Sequence, residues 1–285
     1  MLLACVQSDV SFANVPANLQ RVLDWLEIAG KAGAELVVLP ECMLSGYAYN
    51  SREQALPHAV SIDDPIFHQI AATAGTWNLH VTLGFLEREG DRLFNASALI
   101  GPQGVIGKYR KIHLPHLGID RFVDRGDICY DVHAASDRSG NPVKVGLAIC
   151  YDSSFPEPMR ILALQGADVI ALGTNWPVGA SHTADIVPPA RSMENHLFFV
   201  AANRVGEENG FSFCGCSSIC GPDGVVLAKT TTDGEIILYA EVDPEQARNK
   251  RIERAAGGAH VIHRINDRRP EFYSPLVEPR SDSNS

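Results

Sequence analysis

An α/β fold built from two similar halves is what this 285-residue sequence predicts, and three observations point to it. Short apolar strand-like runs alternate with helical ones along the chain, which is the signature of parallel sheet built from strand, helix, strand units. Two segments echo each other: Ser97-Ala-Leu-Ile-Gly-Pro-Gln-Gly-Val-Ile106 and Ser217-Ser-Ile-Cys-Gly-Pro-Asp-Gly-Val-Val226 align at an offset of 217 − 97 = 120. Each reads as a hairpin, Pro presetting one turn dihedral and Gly supplying a positive φ. A hairpin repeated among strand-helix units predicts two sheets packed face to face with helices outside, although two Gly-Pro-x-Gly turns can also coincide by chance. No linker rich in Ser, Gly or Pro divides the chain, so one domain is the expectation either way.

Taken in order, Leu2 to Gln7 is a short buried strand, and Asn18 to Gly33 carries Leu19, Val22, Leu23 and Leu26 at helical spacing. Glu35 to Pro40 reads as a second buried strand and Asp63 to Trp77 as a helix. Strands follow at His80 to Glu87, Leu93 to Ile100 and Val105 to Leu114. The second half repeats the theme with a strand at Val143 to Cys150, a helix at Pro156 to Gln165 and a strand at Asp168 to Thr174. A helix from about Thr183 to His196 leads to the strand Leu197 to Arg204. Phe213 to Ile219, Val225 to Thr230 and Glu235 to Val242 are the remaining strands, and Pro244 to Ala256 reads as a charged helix. Beyond Gly257 the pattern is irregular, and Ser281 to Ser285 is expected to be disordered.

Composition narrows the function. An apolar content of 45% with 20% charged residues is that of a globular protein with ample core. The net charge of −10 argues against nucleic acid and anionic membrane as partners, since both reward clustered Lys and Arg. Met1 to Gln7 is too short for a signal h-region and no 18-residue apolar run occurs, so the expected location is the cytoplasm. Cys5, Cys42, Cys129, Cys150, Cys214, Cys216 and Cys220 are odd in number and lack a disulfide-scaffold rhythm, which fits a reducing compartment. Cys214 and Cys216 fall on one strand face and read as sheet core, lacking a second ligand pair at zinc spacing. Nucleotide-binding glycine loops and HExxH pairing are both missing, so neither a metal nor an organic cofactor is expected.

Chemistry is concentrated at three strand ends. Leu36-Val-Val-Leu-Pro-Glu41 sets a carboxylate just past a buried strand, Tyr109-Arg-Lys-Ile-His-Leu-Pro115 sets cations at another, and Ile149-Cys150 sets a thiol at a third. Singly, each has a plainer explanation: Cys150 as a small core residue, Glu41 as a solvated loop acid, Lys111 as a surface lysine. In an α/β sheet, however, strand ends meet at a shared crevice. There Glu41 can take the thiol proton and Lys111 can stabilise negative charge, which is nucleophilic catalysis with a base and an electrostatic stabiliser.

With these residues in view, the chain resembles the nitrilase superfamily, the carbon-nitrogen hydrolases with a Glu-Lys-Cys constellation. The resemblance rests on LVVLPECMLSGY (36 to 47), YRKIHLP (109 to 115), VGLAICYDSSFPEPMRILALQGADVI (145 to 170) and ARSMENHLFFVAANRVGEENGFSFCGCSSICGPDGVVLA (190 to 228). It implies a four-layer αββα sandwich over residues 1 to 276, a tail at 277 to 285, and a homodimer or larger homo-oligomer. It also implies Glu41 as general base, Lys111 as stabiliser of the tetrahedral intermediate and Cys150 as nucleophile, with no cofactor. Many members carry a second glutamate after the lysine motif. Here the usual place falls near Ile119, so Asp120 becomes the candidate, one methylene shorter, with an ion pair to Arg121 or Arg125 as its plainer role and Asp124 as the weaker choice.

Cys150-Tyr151-Asp152 resembles the amidase and carbamoylase branches, whereas nitrile-cleaving members usually have Cys-Trp-Glu, so a small-molecule amide is the expected substrate. Tyr47, Tyr151, Asn175 and Trp176 are candidate substrate contacts, Trp176 with core or dimer packing as its alternative. Glu194 is a candidate supporting residue, or else a surface acid of a helix, and Arg191 or His182 could meet a substrate carboxylate, although an arginine on a helix is more often structural. N-carbamoyl compounds are the nearest alternative substrate and nitriles a further one. A Cys-His enzyme would require His113 or His196 beside Cys150, and a non-catalytic dimerising scaffold would have no need of Glu41, Lys111 and Cys150 together.

Overall fold

The structure, a computed structural model, describes residues 1–278. Strand β1 (Leu2–Gln7) shows how the interior is divided, because its side chains alternate between two apolar environments. Ala4 and Val6 face the core that Val22, Leu26 and Ala29 of helix α1 (Val15–Ala32) complete. Cys5 turns the other way and its thiol donates to the Ala201 carbonyl of the second sheet at 3.2 Å. Helix α1 begins earlier than its apolar spacing suggests, because Asn14 caps it by accepting the Ala17 N–H and Pro16 suits the first turn. Gly33, at φ 94°, ends it. Helix α2 (Pro65–Trp77), capped by Asp64, lies against α1 so closely that a Cβ on Gly30 would stand 2.2 Å from the Trp77 ring.

Two six-stranded sheets follow, and their topologies are the same. The first joins β1 with β2 (Leu36–Val38), β3 (His80–Glu89), β4 (Arg92–Gly101) and β5 (Gly104–Arg110). The second joins β6 (Val132–Ser136), β7 (Pro142–Ile149), β8 (Val169–Thr174), β9 (Phe198–Asn203), β10 (Ser218–Cys220) and β11 (Val226–Lys229). Strand β12 (Ile236–Glu241) completes the first sheet as the antiparallel neighbour of β1. In each sheet three parallel strands, β1-β2-β3 or β7-β8-β9, are flanked by one antiparallel strand on one side and two on the other. Helices α1 and α2 cover the first sheet, and α3 (Pro156–Leu164) and α4 (Ser181–Asn195) the second, giving the expected four layers.

The echoed hairpins are β4-β5 and β10-β11, and they match beyond their turns. Each carries a register shift, between Leu99 and Ile100 in one and Ile219 and Cys220 in the other, again 120 residues apart (219 − 99). Other readings need correction. Phe213 to Ile219 is not one strand, because Gly215 and Cys216 take left-handed φ values of 59° and 57° and break it; Cys214 and Cys216 therefore lie in a turn, part-exposed, and not on a strand face. The strand expected to run to Leu114 stops at Arg110. The charged helix after Val242 spans only Pro244–Arg248. Ile252–Ala255 is instead a strand paired with His260–Ile262, because Gly257 and Gly258, both at positive φ, supply a hairpin turn. The chain forms two compact units, Met1–Arg248 and one beginning at Asn249 that carries this hairpin. Of the expected disordered stretch, Ser281 to Ser285 lies outside the described residues.

Candidate active site

Glu41 leaves β2 through Pro40 and is fully buried, a position that a carboxylate occupies only with partners. Lys111, one residue past β5, supplies the first: its Nζ donates to Glu41 Oε1 at 2.7 Å and to Asp120 Oδ2 at 2.5 Å. Asn95 of β4 ties the same two acids together, its Nδ2 donating to Glu41 Oε1 at 2.7 Å and Asp120 Oδ1 at 2.9 Å. Lys111 and both acids have no solvent exposure of their side chains. Burial alone lowers the pKa of the lysine, but Asp120 and then Glu41 outweigh it and hold the ammonium well above its ordinary value. For Glu41 burial is the largest influence and raises its pKa; Lys111 opposes that and Asp120 adds to it. Glu41 Oε2 has no hydrogen-bond partner, so one lone-pair face of this acid is left for chemistry.

Asp120 reaches Lys111 despite its short side chain because the backbone comes to it. It sits in the 3-10 turn Gly118–Arg121, whose Ile119 N–H donates to the Tyr47 carbonyl at 2.8 Å. Gly118, at φ 48°, lies flush on Tyr47: a Cβ there would stand 2.3 Å from the ring. Tyr47 in turn donates its hydroxyl to Asp120 Oδ2 at 2.8 Å, with the Leu117 carbonyl 3.1 Å away. Tyr47 is buried, with its hydroxyl committed to Asp120.

Cys150 closes β7 at φ 43°, a left-handed value that is strained for a residue with a Cβ. The 3-10 turn Cys150–Ser154 that follows is pinned from three sides. Asp152 is buried: its Oδ2 accepts the Ile149 N–H and the Tyr109 hydroxyl, both at 3.0 Å, and its Oδ1 lies 2.8 Å from His113 Nδ1 and 3.2 Å from the Tyr130 hydroxyl. Ser153 donates to the Cys150 carbonyl at 2.7 Å. Arg191 of α4 donates from Nε to the Ser153 carbonyl at 2.9 Å and from Nη2 to that of Ser154 at 3.3 Å, and Glu194 holds the guanidinium at 2.9 Å. Burial pushes the Cys150 thiol up to about 12, Glu41 reinforces the rise, and Lys111, Thr174 and the Asn175 backbone oppose it.

The remaining candidates fall in different surroundings. Asn175, just past β8, is buried with neither side-chain atom hydrogen-bonded. Trp176 is buried, with its backbone fixed by Asn203 and the Cys214 N–H. Tyr151 is 38% exposed, its ring edge-on to Phe155, on which His113 stacks at 4.0 Å. Arg191 is committed to the Cys150–Ser154 turn and Glu194 supports it through that arginine; His182 is exposed on α4. His113 directs Nδ1 to Asp152, and His196 stands at the C-terminal end of α4, at φ 50°.

Sequence reasoning missed Asn95, whose signal was an amide set within an otherwise apolar strand. It also missed Asp152 as an anchor and Glu208, which accepts the Tyr47 and Ala48 N–H groups at 2.9 and 3.0 Å and Arg204 at 2.8 Å. These contacts span up to 161 residues of chain.

Comparison with known proteins finds relatives in sequence and in fold. The family model described as carbon-nitrogen hydrolase matches residues 2–252. A nitrilase of Pyrococcus abyssi is 36% identical over 274 residues, 95% of this chain and 98% of the relative. An (R)-stereoselective amidase of a Pseudomonas species is 35% identical over 243 residues, 82% of each. Among solved structures the NitN amidase of Neterenkonia sp. AN1 superposes with a TM-score of 0.79 at 22% identity, covering 97% of this chain and 99% of that one.

Proposed function

We propose, from the premise that this chain belongs to the carbon-nitrogen hydrolase family, that it hydrolyses a small linear amide through a thioester on Cys150. The observation that carries the reading is the buried Glu41-Lys111-Asp120 cluster, with one oxygen of Glu41 left unpaired and with Glu41 and Lys111 the charged groups that act on the Cys150 thiol. Glu41 takes the thiol proton as sulfur attacks the carbonyl carbon. The tetrahedral oxyanion is received by the Lys111 ammonium and the Tyr151 N–H. The protonated Glu41 passes its proton to the leaving nitrogen as the C–N bond breaks, and ammonia or an amine departs. Water, deprotonated by Glu41, then attacks the thioester, the acid is released and the proton returns to sulfur. Asp120 takes the part of the second carboxylate by keeping Lys111 charged and in place. Asn175, Tyr151 and Trp176 line the substrate side, with Tyr47 acting through Asp120.

Ammonia release from a panel of aliphatic amides, omega-amides, N-carbamoyl amino acids and nitriles tests the reading. The expected result is turnover of amides, a trapped acyl mass on Cys150 and none in Cys150→Ala. Because Glu41 must be ionised and its pKa is raised, kcat/KM is expected to fall with acid above the usual carboxylate range. Turnover of carbamoyl compounds or nitriles alone would move the substrate class. No turnover, together with a Cys150→Ala variant unchanged in partner binding, would favour a scaffold.

The proposal extends to a homodimer in the cytoplasm. Ile161 and Leu164 of α3 and Ile186 and Met193 of α4 stand 40 to 64% exposed on the outer helical layer, an apolar face that a second copy would cover. All seven cysteines are free, as a reducing compartment keeps them. Among the described residues no helix is long and apolar enough to cross a membrane. Light scattering that gives the mass of one chain would remove the dimer.

A further inference from the structure

Gly84 in β3 and Gly173 in β8 occupy regular strand positions, where a glycine weakens pairing and needs a reason. Gly84 pairs with Ser97, and Gly173 stands between Ile149 and Ala202. Backbone conformation is not the reason, since neither has a positive φ. Close approach is. A Cβ on Gly84 would lie 2.5 Å from the Pro40 carbonyl oxygen, 2.6 Å from the Cys42 nitrogen and 2.7 Å from Glu41 Cα. On Gly173 it would lie 2.9 Å from the Leu39 oxygen, 3.0 Å from the Glu41 nitrogen and 3.1 Å from the Pro40 carbonyl carbon. Every one of these atoms is main chain, which cannot swing aside as a side chain can. The segment bearing Glu41 is thus wedged between the two sheets, and Cys42 leaves it at a strained φ of 50°.

Gly173 also touches the other side of the chemistry. Its neighbour across the β7-β8 ladder is Ile149, the residue before Cys150. We propose that Gly173, with Gly84 as its counterpart, is a positioning residue that sets the spacing between Glu41 and Cys150, the missing Cβ acting as the gauge. The proposal rests on the reading of Glu41 as the base. A side chain at 173 displaces the Glu41 backbone relative to the strand that carries the nucleophile. It loosens the contact of Glu41 with Lys111, while Asp120, Tyr47, Cys42 and Cys150 remain as the other ionisable groups around it.

The test compares Gly173→Ala with Gly146→Ala. Gly146 lies in the adjacent strand of the same sheet, and a Cβ there would be as crowded, 3.0 Å from a Leu162 methyl, but against a side chain that can yield. Gly173→Ala is expected to lower kcat by about 10- to 100-fold with KM changed less than about threefold, as misplacement of a reacting group does. Its acid limb of kcat/KM should move to higher pH, because the lysine contact that favours the ionised acid is weakened. Gly146→Ala should keep the wild-type kcat and limb. Equal kinetics in the two variants, or a loss that only tracks melting temperature, overturns the gauge while leaving the amidase reading intact. A wild-type chain inactive on the whole substrate panel overturns both. If Gly173→Ala does not fold, Pro40→Ala, which loosens the same wedge without adding atoms, decides: a lowered kcat supports the gauge and an unchanged one removes it.

Discussion

The two halves of this molecule share a topology and hold their reactive groups by opposite means. The first half fixes Glu41 by charge: Lys111 and Asp120 are buried with it and satisfied by Asn95 and Tyr47. The second half fixes Cys150 by backbone: a left-handed residue at a strand end, followed by a turn that Asp152, Ser153 and Arg191 hold. The difference has a reason in solvation. A buried carboxylate needs a counter-charge to remain ionised, whereas a neutral thiol needs only a rigid support and a base within reach. Substitutions among the side chains that hold Glu41 should therefore change stability and pH dependence together, and those among the side chains that hold the Cys150–Ser154 turn should change rate alone.

Lys111→Met is the severest way to probe that contrast. It removes the proposed oxyanion donor and leaves two buried acids without their cation, so kcat/KM is expected to fall at least about 1000-fold. Denaturant unfolding should show a loss of about 3 to 5 kcal/mol. A stable Lys111→Met enzyme would mean that the cluster is not held by charge.

Asp120→Asn keeps the shape and removes one anion, so the Lys111 pKa should drop and the basic limb of kcat/KM should move to lower pH, with kcat lowered by about 10- to 100-fold. Asp120→Glu should not restore full activity, because the Asp120 carboxylate already sits 2.5 Å from Lys111 Nζ, 2.8 Å from the Tyr47 hydroxyl and 2.9 Å from Asn95 Nδ2, and a further methylene would displace it from them. A fully active glutamate variant would show that the seat is looser than the contact implies.

Arg191→Ala belongs to the other region and should have the smallest effect. Loss of its bonds to the Ser153 and Ser154 carbonyls is expected to lower kcat by about tenfold, as a misplaced nucleophile does, without moving either pH limb. A moved limb would mean that the second region, too, works through charge.

Much of the frame could be read from the chain because it is local. The ends of β2, β5 and β7 singled out Glu41, Lys111 and Cys150 as candidates, and the 120-residue echo pointed to two similar sheets; the bulge that Leu99 and Ile219 share shows only in the strand pairing. What could not be read depends on contacts between distant segments. Nothing near Asn95 says that it will join Glu41 to Asp120, and Arg191 resembles a substrate-binding cation until the Ser153 carbonyl is seen beside it. The misread helix after Arg248 is a local error of another kind: the charge pattern of 249 to 256 suits a helix, and the paired glycines 257 and 258 decide for a hairpin.

Strand β12 joins the first sheet although it follows the whole of the second, pairing Leu2 with Glu241 and Gln7 with Ile236. On the ribosome, β1 must therefore wait with one edge unsatisfied until more than two hundred further residues have emerged, a long-range closure that is slow and open to misassembly. Until that last strand arrives, β1 is the edge at which a nascent chain of this protein would recruit a chaperone or aggregate.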